Sequence, residues 1–340
     1  MPRQESAPVR HILSGENFQK PEGVFSPGED FIMPLLQPRR KFEISHSFRT
    51  EADVVLFHGD CRDLLAAIPS EAARLIVTSP PYNIGKSYEK RLRLETYLQE
   101  QSEVIHDCFR VLAPDGSICW QVGNYVNQNE IVPLDIALYP IFKSLGLKLR
   151  NRIVWHFEHG LHCSRRMSGR HESILWFTKS DKYVFNLDPI RVPQKFPGKK
   201  AFKGPRAGQY TSHPLGKNPG DVWIIPNVKH NHVEKTIHPC QFPVELIERL
   251  ILALTNEGDF LLDPFIGVGT TAVAATLHNR RAAGADIVDK YLRIAEDRVI
   301  KASERSLRIR PMNRPVYAPQ GKITQSPFRR ESAEPVTLFD

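Results

Sequence analysis

Two short stretches carry residue types from which chemistry can be built. The first, VTSPPYN at residues 77–83, stops an apolar run on two prolines and an aromatic ring. Pro80 and Pro81 fix φ and remove two backbone donors, which leaves the carbonyls of Ser79 and Pro80 as acceptors in a rigid turn. A turn offering only acceptors is a socket for an NH₂ group. Tyr82 adds a flat face on which an extruded base could stack, worth roughly 1–3 kcal/mol. An isolated Pro-Pro-Tyr also serves simply to end a strand, so the functional reading needs a second feature. Asn83 fits a turn position that could add a polar contact.

The second stretch is FLLDPFIGVGTTAVAA, residues 260–275. A strand ending in Asp263, a Gly267-Val268-Gly269 loop and a helix from Thr270 are the parts of a nucleotide-type site, because glycines let a ligand approach the backbone at a helix N-terminus. Ala272 replaces the third glycine of the dinucleotide fingerprint. Asp263 suits a cationic ligand, such as the methionine end of S-adenosylmethionine, better than a pyrophosphate. Asp286 closes the next strand pattern, 23 residues after Asp263, where a carboxylate can accept from both ribose hydroxyls.

These stretches need elements that bring them together. VVLFHGD (residues 54–60) and RLIVTS (74–79) read as short buried strands with the helix RDLLAAI between them, a parallel-sheet unit. Apolar residues from Tyr97 to Leu112 recur at helical spacing, and Pro114-Asp115-Gly116 predicts the stop before a strand SICWQVG. A helix over 131–145, a strand RNRIVWHF, and strand-like ILWFTK and YVFN follow. Regular alternation returns at PVELIERLILAL, with FLLD, TTAVAATLHN, RAAGAD and a last helix from Asp289. The pattern predicts an α/β fold with a doubly wound, mostly parallel sheet. Ligands of such sheets bind beyond the carboxyl ends of the strands, so the loops after Thr78 and Asp263 can share one cleft.

Charge singles out the segment between the α/β blocks. Residues 151–236 hold fifteen Lys and Arg against six Asp and Glu, a net of +9 in a chain whose total is +8. Within it, RVPQKFPGKKAFKGPR carries six basic residues and no acidic one, broken by Pro and Gly, and reads as a mobile basic loop. The five cysteines have no framework spacing, which fits a reducing compartment. The start MPRQESAPVRHILSGENF lacks an apolar h-region, and no run of about eighteen apolar residues occurs, so the expected location is the cytoplasm, with no membrane association.

In order, spacing and text, residues 54–298 resemble the DNA amino-methyltransferases of the β type, in which the catalytic motif precedes the cofactor motif. The resemblance is carried by Thr78-Ser79-Pro80-Pro81-Tyr82, by Asp263-Pro264-Phe265-Ile266-Gly267-Val268-Gly269-Thr270, and by the segment from His238-Pro239 to Pro243. It implies a methyltransferase core with S-adenosyl-L-methionine as cofactor: Asp263, Phe265, Gly267 and Thr270 cradling the methionine part, with Pro264 and Gly269 in the same motif, Asp286 holding the ribose, and Gly59 and Asp60 near the adenine. It implies double-stranded DNA as partner, with Ser79 and Pro80 accepting from the target amine, Pro81 rigidifying the turn and Tyr82 stacking on the flipped base. The division it suggests is a flexible 1–45, a catalytic half 46–156, an inserted DNA target recognition region 157–236, a cofactor half 237–304 and a flexible tail 305–340. Arg165, Arg166, Arg170, Lys199, Lys200 and Lys203 are the candidate DNA contacts. In the family Ser-Pro-Pro-Tyr is associated with cytosine N4 and Asp-Pro-Pro-Tyr with adenine N6, so the expected product is N4-methylcytosine, as in a restriction-modification methylase whose cognate endonuclease cuts the same site; a homodimer is compatible.

Alternatives remain open at this point. An adenine-N6 methyltransferase fits the same motifs. Pro239-Cys240-Gln241 spells the nucleophile signature of cytosine-C5 enzymes, yet it precedes the glycine loop instead of following it. A DNA-binding protein without catalysis would not require Ser79, Tyr82 and Asp263, and a nicotinamide oxidoreductase has no use for the Ser-Pro-Pro-Tyr loop or the basic block. His156, His159, His162, Cys163, His171, His230, His232 and His238 could in principle ligate zinc, but their spacing matches no standard finger, and no metal is expected.

Overall fold

A computed structural model describes residues 41–86, 89, 91–158, 160, 162–229 and 231–316. In chain order the elements are β1 (Ile44–Ser45), β2 (Val54–His58), α1 (Cys61–Ala67), β3 (Ala73–Thr78), α2 (Leu94–Val111), β4 (Leu112–Val122), β5 (Asn124–Asn127), β6 (Glu130–Pro133), α3 (Leu134–Ser144), β7 (Lys148–His156), β8 (His171–Thr178), β9 (Val222–Ile224), α4 (Val244–Leu254), β10 (Phe260–Asp263), α5 (Thr270–Leu277), β11 (Arg281–Asp286) and α6 (Asp289–Ser303).

Nine strands form one sheet in the order β1-β2-β11-β10-β3-β4-β8-β7-β9. Pairing is parallel from β1 through β4; β8 is antiparallel to both β4 and β7. Strands buried on both faces read as unbroken apolar runs, and their residues alternate between two cores. Val54, Leu56, Leu75, Val77 and Leu261 pack with α4, α5 and α6, whereas Val55, Ile76, Ile118 and Leu262 pack with α1, α2 and α3.

The sheet order explains why motifs distant in sequence meet. β10 and β11 insert between β2 and β3, so the loops after β2, β11, β10 and β3 leave one edge side by side. The winding of the chain across the sheet reverses between β3 and β10, which is where open α/β sheets place their ligands.

Several local expectations change. Residues 131–133 belong to a hairpin whose turn residues Gln128 and Asn129 have φ of 46° and 69°, so α3 starts only at Leu134. The α2 helix ends at Val111, and Pro114-Asp115-Gly116 lies inside β4, where the register with β3 shifts. Residues 183–186 form no strand; Tyr183 and Phe185 pack on Trp176 instead, and β9 takes the sheet edge. Of the two expected tails, residues 1–40 and 317–340 lie outside the described residues. Residues 44–45 pair with β2. Residues after 304 fold back on α4, where the buried Arg310 pairs with Glu245 and its amide donates to Glu234 Oε1 over 3.0 Å. Among the described residues no helix is long and apolar enough to cross a membrane.

Candidate functional site

The loops after β3 and β10 are tied together at their roots. Thr78 Oγ1 donates to Asp263 Oδ1 over 2.6 Å, Thr271 Oγ1 to Oδ2 over 2.6 Å, and the Phe265 amide to Oδ1 over 3.2 Å. Asp263 is 0% exposed, and burial, opposed by these hydrogen bonds, pushes its carboxyl up to about 6. The sequence suggests that Asp263 meets a cationic ligand; in the structure it is absent from the cavity lining and ties the two loops together instead. Gly269 and Thr270 are absent from that lining as well. Gly269 caps α5 at φ +76°, and a Cβ there would sit 2.6 Å from that of Ala295. Thr270 Oγ1 accepts from Arg298 over 3.2 Å, and the same guanidinium donates to the Val268 carbonyl.

In front of this brace is a cavity of about 310 Å³. Pro264, Phe265 and Gly267 form one side, Gly59, Asp60 and Asp286 another, and Ser79, Pro80, Pro81 and Tyr82 the third; His238, Cys240 and Tyr291 complete the wall. Asp286 Oδ1 accepts from the Val288 amide over 2.8 Å, its carboxyl also takes the Gly267 N–H, and burial raises it. Asp60 caps α1 through the Arg62 amide at 2.9 Å, and the Arg62 side chain holds its carboxyl below the usual range. Gly59 N–H donates to the Asp286 carbonyl over 3.1 Å, which locks the β2 and β11 loops together. A volume at the small end of ligand pockets, apolar walls from Phe265, Pro264 and Ile287, and two carboxylates at one end fit an amphipathic ligand carrying hydroxyl donors.

The opposite end is polar. Ser79 Oγ and Tyr82 Oη are 3.0 Å apart, Tyr82 donates to Glu172 Oε2 over 3.2 Å, and Gln121 Nε2 donates to the same oxygen. Burial first, and the Glu172 charge second, raise the Tyr82 phenol well above its ordinary value, so it keeps its proton. Gly123 makes room for the ring: a Cβ there would lie 3.1 Å from Tyr82 Cε2. Asn83 is a turn residue, buried at φ 61°, exchanging hydrogen bonds with Leu92. Glu172 and Gln121 escape a reading by motif; the available signal for Glu172 is an acidic residue at the head of the apolar run HESILWFT, inside a basic segment. His238, pushed down to about 4 chiefly by burial, accepts the Cys240 amide at Nδ1 over 3.2 Å.

The six candidate DNA contacts fall on two loops. Arg165 and Arg166 are exposed on the turn between β7 and β8, closed by Cys163 N–H to Ser168 Oγ at 3.1 Å; Arg170 is half-buried and donates to the Gly169 carbonyl over 2.9 Å. Lys199, Lys200 and Lys203 are exposed on the loop before β9. That loop is bonded internally, with Ala201 N–H to Gln209 O and Gly208 N–H to Ala201 O both at 2.9 Å, and so is less free than its composition suggests. Among the described residues no three His, Cys, Asp or Glu are grouped to hold a metal; His159 and His230 lie outside them.

A family model described as DNA methylase matches residues 73–297. Among curated proteins, the Type II methyltransferase M.BglII of Bacillus subtilis is 54% identical over 241 residues, covering 71% of this chain and 67% of that protein. The DNA adenine methyltransferase YhdJ of Escherichia coli K12 is 33% identical over 265 residues, covering 76% and 86%. Among solved structures, the PvuII DNA methyltransferase (cytosine-N4-specific) superposes with a TM-score of 0.59 at 19% identity over 75% of this chain and 93% of the other, which speaks to the fold. The Thermus thermophilus protein TTHA0409, complexed with S-adenosyl-L-methionine, gives 0.52 at 27% identity over 73% and 93%.

Proposed function

This chain belongs to the N6/N4 DNA methylase family, and we propose that it transfers a methyl group from S-adenosyl-L-methionine to the exocyclic N4 amine of a cytosine flipped out of double-stranded DNA. The observation that carries the reading is the 2.6 Å bond from Thr78 to Asp263, which ties together the Ser-Pro-Pro-Tyr turn and the Phe265 loop, both lining one cavity. Phe265, Pro264 and Gly267 would hold the methionine part, Asp286 the ribose, and Gly59 and Asp60 the adenine end, with Asp263, Gly269 and Thr270 keeping the loop in shape.

The donor supplies a methyl group already activated on a sulfonium. What the chain must add is position and acceptors. A conjugated exocyclic amine is a poor nucleophile, and acceptors aimed at its protons stabilise the charge that grows on nitrogen. Ser79 Oγ and the Pro80 carbonyl are assigned that task, Pro81 keeps the turn rigid, and Tyr82 presents its ring to the extruded base. Residues 157–236 are proposed as the target recognition region, with Arg165, Arg166, Arg170, Lys199, Lys200 and Lys203 on the phosphates or bases. A cognate endonuclease acting on the same site, a homodimer and a cytoplasmic location belong to the same proposal.

Adenine N6 is the second reading, favoured by the 33% identity to a DNA adenine methyltransferase. Both bases present an NH₂, so the acceptors alone do not choose. Labelled methyl transfer to unmethylated duplex DNA, with nucleosides resolved by mass spectrometry, tests both: N4-methylcytosine that vanishes in Ser79→Ala is the expected result, N6-methyladenine transfers the mechanism to the other base, and no label in DNA overturns the proposal.

A further inference from the structure

Ser79, Tyr82 and Glu172 form a chain of hydrogen bonds whose direction is fixed at one end. An ionised carboxylate only accepts, and a phenol has a single proton. With Glu172 ionised, the Tyr82 proton is committed to Glu172 Oε2 at 3.2 Å, so Tyr82 Oη can only accept from Ser79 at 3.0 Å. The one proton of Ser79 is then spent on Tyr82, and its lone pairs are left for an incoming amine. Were Glu172 protonated, the chain could reverse and Ser79 would present a donor to a group that is itself a donor.

Resting on the function proposed above, we propose that Glu172 is the positioning residue of methyl transfer: it sets the direction of the Ser79–Tyr82 pair and receives, through that pair, the proton the amine must lose. The balance is simple. The nitrogen lone pair forms the C–N bond while the carbon–sulfur bond breaks with its electrons staying on sulfur, and the nitrogen is left with one proton too many. That proton passes to Ser79 Oγ, the Ser79 proton to Tyr82 Oη, and the Tyr82 proton to Glu172, which becomes a neutral acid and later returns the proton to water.

The surroundings suit this role. Gln121, from β4, donates to Glu172 Oε2 and fixes the carboxylate without adding charge. The titratable groups facing it are Tyr82 from the β3 loop and Lys229 from the segment after β9, with Cys240, preceding α4, acting on Tyr82. Burial outweighs the Tyr82 and Gln121 hydrogen bonds and the Lys229 charge and raises the Glu172 carboxyl, the direction a proton acceptor requires. Glu172, as a residue, is half-buried at the head of β8, at the same sheet end as the Ser79 turn.

The test is single-turnover transfer of labelled methyl to duplex DNA from about pH 5 to about pH 9, for wild type, Glu172→Gln, Tyr82→Phe and the double variant. The expected wild-type rate falls on the acid side. Glu172→Gln should lose about 10²-fold and its acid limb together; Tyr82→Phe, which keeps the ring, should lose a similar factor, and the double variant no more than either. Cofactor affinity by calorimetry should stay within about twofold. A readout independent of activity is ¹³C NMR of labelled glutamates: one carboxyl titrating above the usual range, absent in Glu172→Gln and displaced in Tyr82→Phe. An acid limb retained in Glu172→Gln, or losses that multiply in the double variant, would overturn the proposal while leaving the function standing. A wild-type protein that binds the cofactor but labels no DNA sinks the function and this inference with it.

Discussion

Asp263 and Glu172 stand at the same edge of the sheet, each accepts hydroxyl donors, and each carboxyl is raised by burial. Their surroundings make them opposites. Asp263 has both oxygens spent on Thr78, Thr271 and the Phe265 amide and no exposure. Glu172 takes two side-chain donors on one oxygen and is half-buried. A carboxylate sealed and satisfied can only hold structure, while one reached by a hydroxyl chain from the cavity can exchange a proton. The β10 side of the cavity is thus closed around its carboxylate and the β8 side less so, and the motif residue with the strongest sequence signal belongs to the closed side.

Removing the sealed carboxylate should have the largest consequence. Asp263→Ala strands the Thr78 and Thr271 hydroxyls in the core and opens a void between two loops, a loss of about 4 kcal/mol read as a shift in the denaturant midpoint. A loss under about 1 kcal/mol would mean that Asp263 does not brace the loops and would break the comparison. Asp263→Asn gives a smaller, pH-dependent difference. The folded carboxyl titrates near 6 against an ordinary 3.8, so the native state binds the extra proton between those values and wild-type stability falls as pH rises from 3.8 to about 6. The slope should amount to about 3 kcal/mol across that window, flat above it, and should vanish from the Asp263→Asn curve.

The contrast also shows what was legible beforehand. Runs such as VVLFH and LIVT are apolar because both sheet faces are covered, so β2, β3, β10 and β11 could be placed, and with them the meeting of two distant loops. The Tyr183–Asn186 run looked like a strand by composition, but Trp176 drew its aromatic rings onto a sheet face, and the three-residue β9 took the edge with too little pattern to read. The buried side of Asp263 depends on Thr78, 185 residues away, and the role of Glu172 on Tyr82, 90 residues away; no local spacing encodes either.

On the β8 side the two basic loops can be told apart. Lys199, Lys200 and Lys203 sit on an internally bonded loop before β9, whereas Arg165 and Arg166 lie on the β7–β8 turn that leads directly into Glu172. Replacing the three lysines by alanine should weaken duplex binding about tenfold whatever the sequence, and make the log–log salt dependence shallower by about two to three. Arg165→Ala with Arg166→Ala should lower transfer more than binding. Identical salt slopes for wild type and the lysine variant would remove that loop from the interface and confine DNA contact to the turn.

The smallest effect is expected at Cys240, which shares the cavity with Ser79. Its backbone is held by the turn that Thr236 and Gln241 close at 2.7 Å, and its amide is spent on His238, so the wall survives loss of the sulfur. A thiolate is needed where a base carbon must be attacked; an exocyclic nitrogen that attacks a methyl group needs acceptors, the role proposed for the Ser79–Tyr82–Glu172 chain. Cys240→Ala should therefore change kcat/KM by no more than about threefold, chiefly through KM, and yield the same methylated nucleoside as wild type. Abolished transfer in Cys240→Ala beside a tolerated Ser79→Ala, with label in 5-methylcytosine, would move the chemistry from the Glu172 carboxylate to the thiol and make the hydroxyl chain a structural contact.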